Sequence, residues 1–235
     1  MCGRYTLTRH ERAAEDLQAA LGEGITASEW WKPRYNVAPT QGAPVVTLHD
    51  GVRTLEMMRW GFVPFWGTEP GAKPPLMINA RAESLGAKAW FRDALARKRC
   101  LVPADGFFEW KRPGGKAKPQ PIYFHPASHG LFAFAGLWAR ARAPSGTELL
   151  SFTIITGKAN ELIAPVHDRM PVVLAESTHA AWLDPSLDEE GARALLGVPP
   201  VGDWLGEPVS TWVNSAQHDD PQCIAPAPVQ GTLFD

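Results

Sequence analysis

The sequence predicts an α+β fold in which mainly antiparallel β-sheets form a barrel-like core with flanking helices. Strand-like apolar runs outnumber helical patterns, and most of them follow one another through short turns, which favours antiparallel pairing. The 235 residues are 45% hydrophobic and 20% charged, a composition typical of a globular protein with a sizeable core. Neither a composition break nor an internal repeat marks a second domain. We therefore expect one domain over residues 1–224 and a flexible tail over residues 225–235.

The first predicted element is a helix that starts near Thr8 and stops at Gly22. Thr8 and Glu11 resemble a capping box, and apolar residues then recur at helical spacing until the glycine. Residues 30–44 are rich in Trp, Pro and Asn, so they are predicted to form a loop.

A hairpin is predicted next, because apolar runs at 45–48 and 52–58 flank the turn sequence His-Asp-Gly at 49–51. Residues 63–75 contain four prolines and two glycines and predict a long exposed loop, a feature that is often functional. Apolar residues on one face of 85–97 predict a second helix.

The second half of the chain alternates short apolar runs with turn residues. Strands are predicted at 100–103, 106–111, 121–125, 131–138, 149–156 and 171–174. Helices are predicted at 158–164, 177–183 and 187–196. The Ala/Pro-rich segment that begins at residue 225 is typical of a linker.

Charge and cysteine content limit the classes of function. The net charge is −2, yet residues 1–118 carry 18 Lys and Arg against 12 Asp and Glu, and residues 119–235 carry 5 against 13. This asymmetry suggests a polyanionic partner, unless the fold mixes the halves and cancels the field. The three cysteines form no Cys-x-x-Cys pair, which argues against a zinc site or a disulfide framework. With no signal-like or membrane-spanning apolar run, we expect a soluble cytoplasmic protein.

The second residue is a cysteine, which becomes the amino terminus if Met1 is removed. A terminal Cys2 offers an amine and a thiol on adjacent carbons. The amine can form a Schiff base with an aldehyde, and the thiol can then close a thiazolidine ring; the pair can also attack acyl carbons. The alternative is an ordinary buried thiol near the start of the chain.

Four further segments carry polar residues typical of catalytic sites. They are Asn79-Ala-Arg-Ala-Glu83, the run from Arg99 to Lys111, Thr156-Gly-Lys-Ala-Asn160 and His167-Asp-Arg-Met-Pro171. Together with Met-Cys-Gly-Arg-Tyr, their order and spacing resemble the SOS-response-associated peptidase family, from residue 2 to about residue 223. That family processes abasic sites in single-stranded DNA. Each motif alone is modest, but five in order are specific.

The resemblance implies that Cys2 captures the aldehyde of an abasic site as a thiazolidine DNA–protein crosslink that shields the lesion from strand cleavage. An imine that fails to close could undergo β-elimination, which would give lyase activity. Removal of Met1 could be autocatalytic or could be carried out by an aminopeptidase. The resemblance implies no cofactor and no metal, and we expect a monomer that joins the nucleoid when it binds DNA.

Three other residues receive catalytic roles from the resemblance. Glu109 would be the general acid/base, and burial among aromatic residues would raise its pKa; the alternative is an exposed glutamate paired with Lys111. His167 would help to open the sugar ring and to move protons, or it is a loop residue bonded to its neighbour. Asn79 would orient Cys2 or the sugar, or it is a turn residue.

The resemblance also assigns DNA contacts. Phosphate contacts are implied for three arginines, Arg4, Arg81 and Arg169, since a guanidinium grips phosphate with two parallel hydrogen bonds. Surface ion pairs with Glu83 or Asp168 are the alternative. Trp66, at the start of the long loop, would stack on a base or wedge beside the lesion.

The last residues suggest a protein partner. Gln230, Leu233 and Phe234 form a Gln-x-x-Leu-Phe pattern similar to the short peptide by which bacterial repair proteins dock on the sliding clamp. The two apolar side chains follow a Pro/Ala linker and would be buried in a pocket on the clamp. A fold-back onto the parent domain or a chance match is the alternative.

Two other classes of function fit parts of the sequence. Class II glutamine amidotransferases also begin with Met-Cys-Gly and use the terminal cysteine for acyl transfer, as N-terminal-nucleophile hydrolases do. The His-Asp-Arg-Met-Pro segment is foreign to that family. A non-catalytic single-strand-binding module, in which Cys2 is incidental, is the third hypothesis. Only covalent capture predicts an adduct with abasic DNA that survives denaturation.

Overall fold

Two mainly antiparallel sheets carry most of the chain in the computed structural model, which describes residues 2–68, 75–112, 114, 118–142, 146–200 and 202–228. The strands in chain order are β1 (Tyr5–Leu7), β2 (Ala20–Leu21), β3 (Arg34–Val37), β4 (Gly42–His49), β5 (Val52–Trp60), β6 (Asn79–Arg81), β7 (Arg99–Ala104), β8 (Gly106–Lys111), β9 (Gln120–Pro126), β10 (Phe132–Arg142), β11 (Glu148–Lys158), β12 (Arg169–Pro171), β13 (Val173–Leu174) and β14 (Trp204–Pro208). The predicted α+β class is confirmed.

A closed ring of five strands confirms the predicted barrel-like core. The strands β5, β4, β7, β10 and β11 pair in that order as antiparallel neighbours. Parallel pairing of β11 with β5 closes the ring, where Phe152 lies opposite Trp60. Because side chains alternate along a strand, Phe134 and Phe152 pack with Tyr5 on one face, and Ala135 on the neighbouring position belongs to the opposite face.

Short helices cover that opposite face. They are α1 (Ala13–Asp16), α2 (Ala89–Arg97), α3 (His179–Leu183) and α4 (Glu189–Leu195). Helix α2 buries Phe91, Ala94 and Leu95, the i, i+3, i+4 pattern of an amphipathic helix. The guanidinium of Arg99 donates to the carbonyl oxygens of Leu95 and Trp182, so one buried cation ties the carboxyl ends of α2 and α3 together.

The second sheet has the strand order β14-β9-β8-β1-β3 and places the amino-terminal strand between two neighbours. Tyr5 pairs with Phe107 of β8 on one side and with Val37 of β3 on the other. Asp105 accepts hydrogen bonds from the hydroxyls of Thr6 (2.5 Å) and Thr8 (2.6 Å), and these bonds hold the carboxyl end of β1 in place. The start of the chain is therefore an interior strand and not a loose end.

Several local predictions are wrong, each because tertiary pairing overrides a local pattern. The helix predicted from Thr8 is a single short turn at Ala13–Asp16, and residues Ala20–Leu21 instead extend the sheet beside β5. The loop predicted at 30–44 contains β3, which pairs with β1. The helix predicted at 158–164 does not form, because β11 runs on to residue 158 and turns follow.

The hairpin prediction is confirmed. Asp50 and Gly51 have positive φ angles of 48° and 79°, as a two-residue turn between twisted strands requires. In the long loop predicted at 63–75, residues Phe65–Thr68 form one 3₁₀ turn, and residues 69–74 lie outside the described part of the chain. Among the described residues, no helix combines the length and apolar character needed to cross a membrane.

Candidate active site

The site is built around Cys2, which is fully buried and lies three residues before the start of β1. The backbone N–H of Phe108 donates to the carbonyl of Arg4 at 3.0 Å, so the pairing of β1 with β8 continues toward the chain terminus. The Cys2 thiol packs in the same apolar cluster as Tyr5 and Trp60. Burial raises the pKa of this thiol, and the negative charge of Glu109 raises it further. The sulfur is therefore held as a neutral thiol.

Asn79 contacts the first residues directly. It opens β6, which runs parallel to β11 with Asn79 opposite Ile154. Its side-chain Nδ2 donates to the carbonyl oxygen of Cys2 at 2.8 Å. Its Oδ1 is buried and accepts no hydrogen bond from the residues that the structure describes. Such an acceptor is costly to leave unsatisfied, which is a feature of sites completed by a ligand.

Glu109 is 2% exposed, in the middle of β8. Burial raises the pKa of its carboxyl group, while the positive charge of His167 acts in the opposite direction. The predicted burial is thus found, and it argues against the alternative of an exposed glutamate paired with Lys111, which is itself exposed. A carboxyl group with a raised pKa, whose charge acts on the Cys2 thiol, is suited to moving protons.

The turn after β11 positions His167. Its Nδ1 lies 3.0 Å from the backbone nitrogen of Arg169 and 3.0 Å from Oδ1 of Asp168. An amide N–H can only donate, so Nδ1 is the acceptor and the neutral ring carries its proton on Nε2. The Asp168 contact becomes an ion pair only if the ring is protonated, and Asp168 is largely exposed. We therefore assign the Nε2–H tautomer to the neutral ring.

The four predicted catalytic residues converge on one location. Asn79 bonds to Cys2, and the charge of Glu109 acts on the Cys2 thiol, while the charge of His167 acts on Glu109. They come from four separate parts of the chain: the terminus, β6, β8 and the turn after β11. Together they offer a thiol, a buried acid/base, an imidazole and an amide acceptor.

The three predicted phosphate contacts differ in their surroundings. Arg4 donates from Nη1 to Asn36 Oδ1 (3.2 Å) and to the carbonyl of Val213 (2.8 Å). Burial lowers its pKa, but a guanidinium stays charged at neutral pH. Arg81 is exposed at the end of β6 and has no ion pair within the described part of the chain.

Arg169 is already engaged. Its Nη1 and Nη2 donate to the two carboxylate oxygens of Glu83 at 2.6 and 2.9 Å, and Nη2 also donates to the carbonyl of Thr156 at 2.6 Å. This is the ion pair that the sequence offered as the alternative to a phosphate contact. The pair joins β12 to the turn after β6, and so it holds the two segments that carry His167 and Asn79.

The predicted wedge, Trp66, lies in the 3₁₀ turn Phe65–Thr68, and its side chain is outside the described part of the structure. The side chain of its neighbour Phe65 is 74% exposed. The predicted clamp-docking residues Gln230, Leu233 and Phe234 also lie outside the described residues.

Sequence reasoning missed the segment 211–224, which packs beneath the amino terminus. Asp219 accepts hydrogen bonds from Arg34 Nε at 2.5 Å and from the backbone N–H groups of Tyr35 (2.6 Å) and Asn36 (2.9 Å). Asn36 in turn contacts Arg4. The available signal was the Asp-Pro pair at 220–221, since an N-cap aspartate followed by proline marks a helical start.

Comparison with known proteins identifies the family. The family model of the SOS response associated peptidase (SRAP) matches residues 1–216. The chain belongs to the SRAP family. Its relatives include the abasic site processing protein YoqW of Bacillus subtilis, 40% identical over 229 residues that cover 95% of this chain and 99% of YoqW.

More distant SRAP relatives also align over most of this chain. The abasic site processing protein YedK of Escherichia coli is 31% identical over 96% of this chain and 100% of its own. The abasic site processing protein HMCES of Gallus gallus is 33% identical over 96% of this chain and 78% of its own. A crystal structure of a protein from Bacteroides thetaiotaomicron superposes with a TM-score of 0.85 at 25% identity, over 96% of this chain and 100% of that one.

Proposed function

We propose that this protein processes abasic sites in single-stranded DNA by capturing them covalently through Cys2 once Met1 has been removed. SRAP membership and the names of its relatives, abasic site processing proteins, support abasic-site processing. The observation that carries the covalent step is the convergence of the buried Cys2 and Glu109 with the half-buried Asn79 and His167. No single local pattern in the sequence requires those four residues to meet.

The first step joins the Cys2 amine to the ring-opened aldehyde of the lesion. A terminal amine has an ordinary pKa near 7.7–8.0, so a useful fraction is neutral at cellular pH. Its lone pair forms a C–N bond, and the carbonyl oxygen becomes the hydroxyl of a carbinolamine. Glu109 in its acid form, which burial favours by raising the pKa of the carboxyl group, donates a proton to that hydroxyl. Water leaves, and a protonated imine remains beside the Glu109 carboxylate.

The second step closes the ring. The Cys2 sulfur adds to the carbon of this protonated imine, whose nitrogen keeps its proton, and the S–H proton passes to the Glu109 carboxylate and restores the acid. The product is a thiazolidine with the same mass as the imine. Because burial raises the pKa of the thiol, sulfur attack depends on a nearby base. The order of amine first and thiol second follows from these two protonation states.

The other two residues have different roles: Asn79 positions Cys2 and the sugar, and His167 donates a proton to the sugar. Asn79 holds the Cys2 carbonyl through Nδ2, and its Oδ1 is placed to accept a hydrogen bond from the incoming sugar or from the amine. His167 carries its proton on Nε2 because Nδ1 accepts from the Arg169 backbone. That proton can go to the ring oxygen of the closed sugar as the aldehyde form opens.

The DNA backbone would cross the surface near Arg4 and Arg81. Arg81 is exposed beside the Asn79 strand and has no ion pair among the described residues, so it is the most direct phosphate contact of the three. Arg169 would reach a phosphate only by sharing or leaving Glu83. We assign Arg169 a positioning role, since it connects the segments that carry Asn79 and His167.

Further parts of the same proposal concern the fate of the adduct and the cellular partners. Release by β-elimination would give lyase activity, and cleavage before Cys2 could be autocatalytic. The tip with Leu233 and Phe234 would dock on the sliding clamp and deliver the protein to replicating single strands. We further propose a cytoplasmic monomer.

The test is the intact mass of the protein before and after incubation with a single-stranded oligonucleotide that holds one abasic site. Covalent capture predicts an increase equal to the oligonucleotide mass less one water, in an adduct that survives denaturation. Borohydride should leave a thiazolidine unchanged, whereas an imine gains two hydrogens. Cys2→Ala should abolish the stable adduct, and Cys2→Ser should trap only weakly because oxygen closes the ring poorly. An undiminished adduct in Cys2→Ala would refute the mechanism. An amidohydrolase or a binding module gives no such adduct.

A further inference from the structure

A cleft of about 390 Å³ lies beside the amino terminus, on the opposite side of β8 from the catalytic carboxyl group. Its lining consists of Gly3, Arg4, Trp110, Pro119 and Asn214. A volume of this size is within the range of small-ligand sites. None of the catalytic roles proposed above uses Trp110, Pro119 or Asn214.

The Trp110 side chain is half-buried, and one hydrogen bond at the edge of the indole ring anchors it. Its Nε1 donates to Asn214 Oδ1 at 2.7 Å, which fixes the orientation of the ring. The guanidinium carbon of Arg4 lies 6.0 Å from the ring centroid, whereas the guanidinium carbon of Arg34 lies 4.5 Å above Trp30. Arg4 therefore does not cover the Trp110 ring closely, and the cleft lies between fixed cationic and aromatic groups.

The β1–β8 register brings this cleft next to Cys2. Tyr5 pairs with Phe107, and the Phe108 N–H donates to the carbonyl of Arg4. Gly3 and Arg4, the two residues that follow Cys2 in the chain, themselves line the cleft. A DNA residue bound to Cys2 would have its neighbour within one or two nucleotide steps of the cleft, since the rise per nucleotide is about 3.4 Å.

The charge around the cleft suits a polyanionic strand. Exposed basic residues lie on the β8–β9 side, at Lys111, Arg112 and Lys118. Both acidic residues of the segment 211–224 already have partners. Asp219 accepts a hydrogen bond from Arg34, and Asp220 accepts one from the indole N–H of Trp212. An aromatic face within a cationic rim is the arrangement by which proteins bind single strands without reading sequence.

We propose that the Trp110 cleft binds a base of the strand adjacent to the abasic residue, by stacking on the indole while the phosphate lies against Arg4. This rests on the proposed function, and it adds a subsite that sets how many flanking nucleotides the protein engages. Asn214 is a positioning residue in this arrangement, because it acts through the ring of Trp110. The occupant is a nucleobase of any identity, since every base offers a π-face.

The experiment is a double-mutant cycle between the side chain and the base, read by fluorescence anisotropy. The DNA carries a tetrahydrofuran residue, an abasic analogue without an aldehyde, so that binding is measured without capture. A second tetrahydrofuran then replaces each flanking nucleotide in turn. Trp110→Ala should bind the singly substituted strand about tenfold more weakly, toward the low end of the range for loss of one stacked base. The penalty should fall below about twofold when the base that stacks is absent.

Two variants complete the design. Trp110→Phe keeps an aromatic face and should bind within about threefold of wild type. Trp212→Ala removes an exposed tryptophan of the same segment that does not line the cleft, and it should bind within about twofold. A wild-type Kd for Trp110→Ala would overturn the subsite. So would a penalty that persists whichever flanking base is removed, because that pattern indicates structural damage. Neither outcome depends on whether wild type captures aldehydic DNA, which tests the proposed function separately.

Discussion

Replacing Glu109 with glutamine should slow abasic-site capture and at the same time stabilise the fold at neutral pH. Glutamine keeps the shape of the side chain and its hydrogen-bonding oxygen but cannot donate or accept a proton at any useful pH. Glu109 is 2% exposed, so the carboxylate that wild type must form above its pKa is charged in a site of low polarity. The same substitution thus removes a catalytic group and a costly buried charge.

The kinetic effect follows from the role assigned to the carboxyl group. A positioned general acid or base contributes about 10²–10⁴-fold to a rate. We expect capture by Glu109→Gln to be slower by a factor within that range, while the Kd for single-stranded DNA stays within about twofold of wild type, because Glu109 lies in the interior and the DNA contacts are elsewhere.

The pH dependence has a definite sign. Burial raises the pKa of Glu109 above its ordinary value of 4.5, so the folded state binds more protons than the unfolded state between those two values. Wild type therefore loses stability as the pH rises through the folded pKa, and the glutamine variant does not. The variant should be the more stable protein at pH 7, and the two unfolding curves should converge as the pH falls below 4.5.

Three measurements decide the matter: single-turnover capture by denaturing gel, anisotropy with the tetrahydrofuran strand, and urea unfolding at pH 4 and pH 7. Glu190→Gln, the same substitution at an exposed glutamate of α4, is the matched control and should leave all three nearly unchanged. A parallel loss of binding and rate would mean that Glu109 has a structural role. A variant that is less stable than wild type at pH 7 would refute the reasoning from the buried charge.

Two further predictions concern the arginines. Arg81→Ala should reduce the salt dependence of single-strand binding, with the slope of log K against log salt smaller by about 0.7, as expected for one lost phosphate contact. Arg169→Ala should instead lower the capture rate with little change in that slope, and equal slopes for Arg81→Ala and wild type would contradict the assignment. Asp219→Ala leaves the fully buried guanidinium of Arg34 without its partner, so it should lower the free energy of unfolding by about 3–5 kcal/mol in urea titrations. Asp220→Ala removes an N-cap and the exposed acceptor of the Trp212 indole N–H, so it should cost about 1–2 kcal/mol; a loss as large as that of Asp219→Ala would show that the buried pair is not special.

Much of the fold could be predicted because period-2 apolar runs are strong local signals. The hairpin between β4 and β5 and the long strands β8 to β11 formed where the pattern placed them. The failures fell on short elements. Residues Arg34–Val37 and Asn79–Arg81 carry little local strand signal and are strands only because β1 and β11 offer edges to pair with.

The sequence by itself determined the family, the set of chemical groups and the order of the motifs that carry them. Those properties depend on which residues are present and on their spacing along the chain. A terminal Cys2 candidate, a carboxyl group among aromatics at Glu109 and a histidine before Asp-Arg could all be identified without coordinates. What each of them contacts could not, because the partners are far apart along the chain.

The tertiary structure decided the protonation of the site and the use of the arginines. Glu109 titrates high because the packing of two sheets removes it from water, whereas the strand pattern alone left an exposed alternative open. Arg81 is closer to Glu83 along the chain, yet it is Arg169 that forms the ion pair with Glu83. The reason is that β11 pairs with both β6 and β12, which brings the segment after β6 next to Arg169. The cleft at Trp110 exists because Asn214, 104 residues away, reaches the indole. Local spacing carries no information about such contacts, so burial and partner choice belong to the fold.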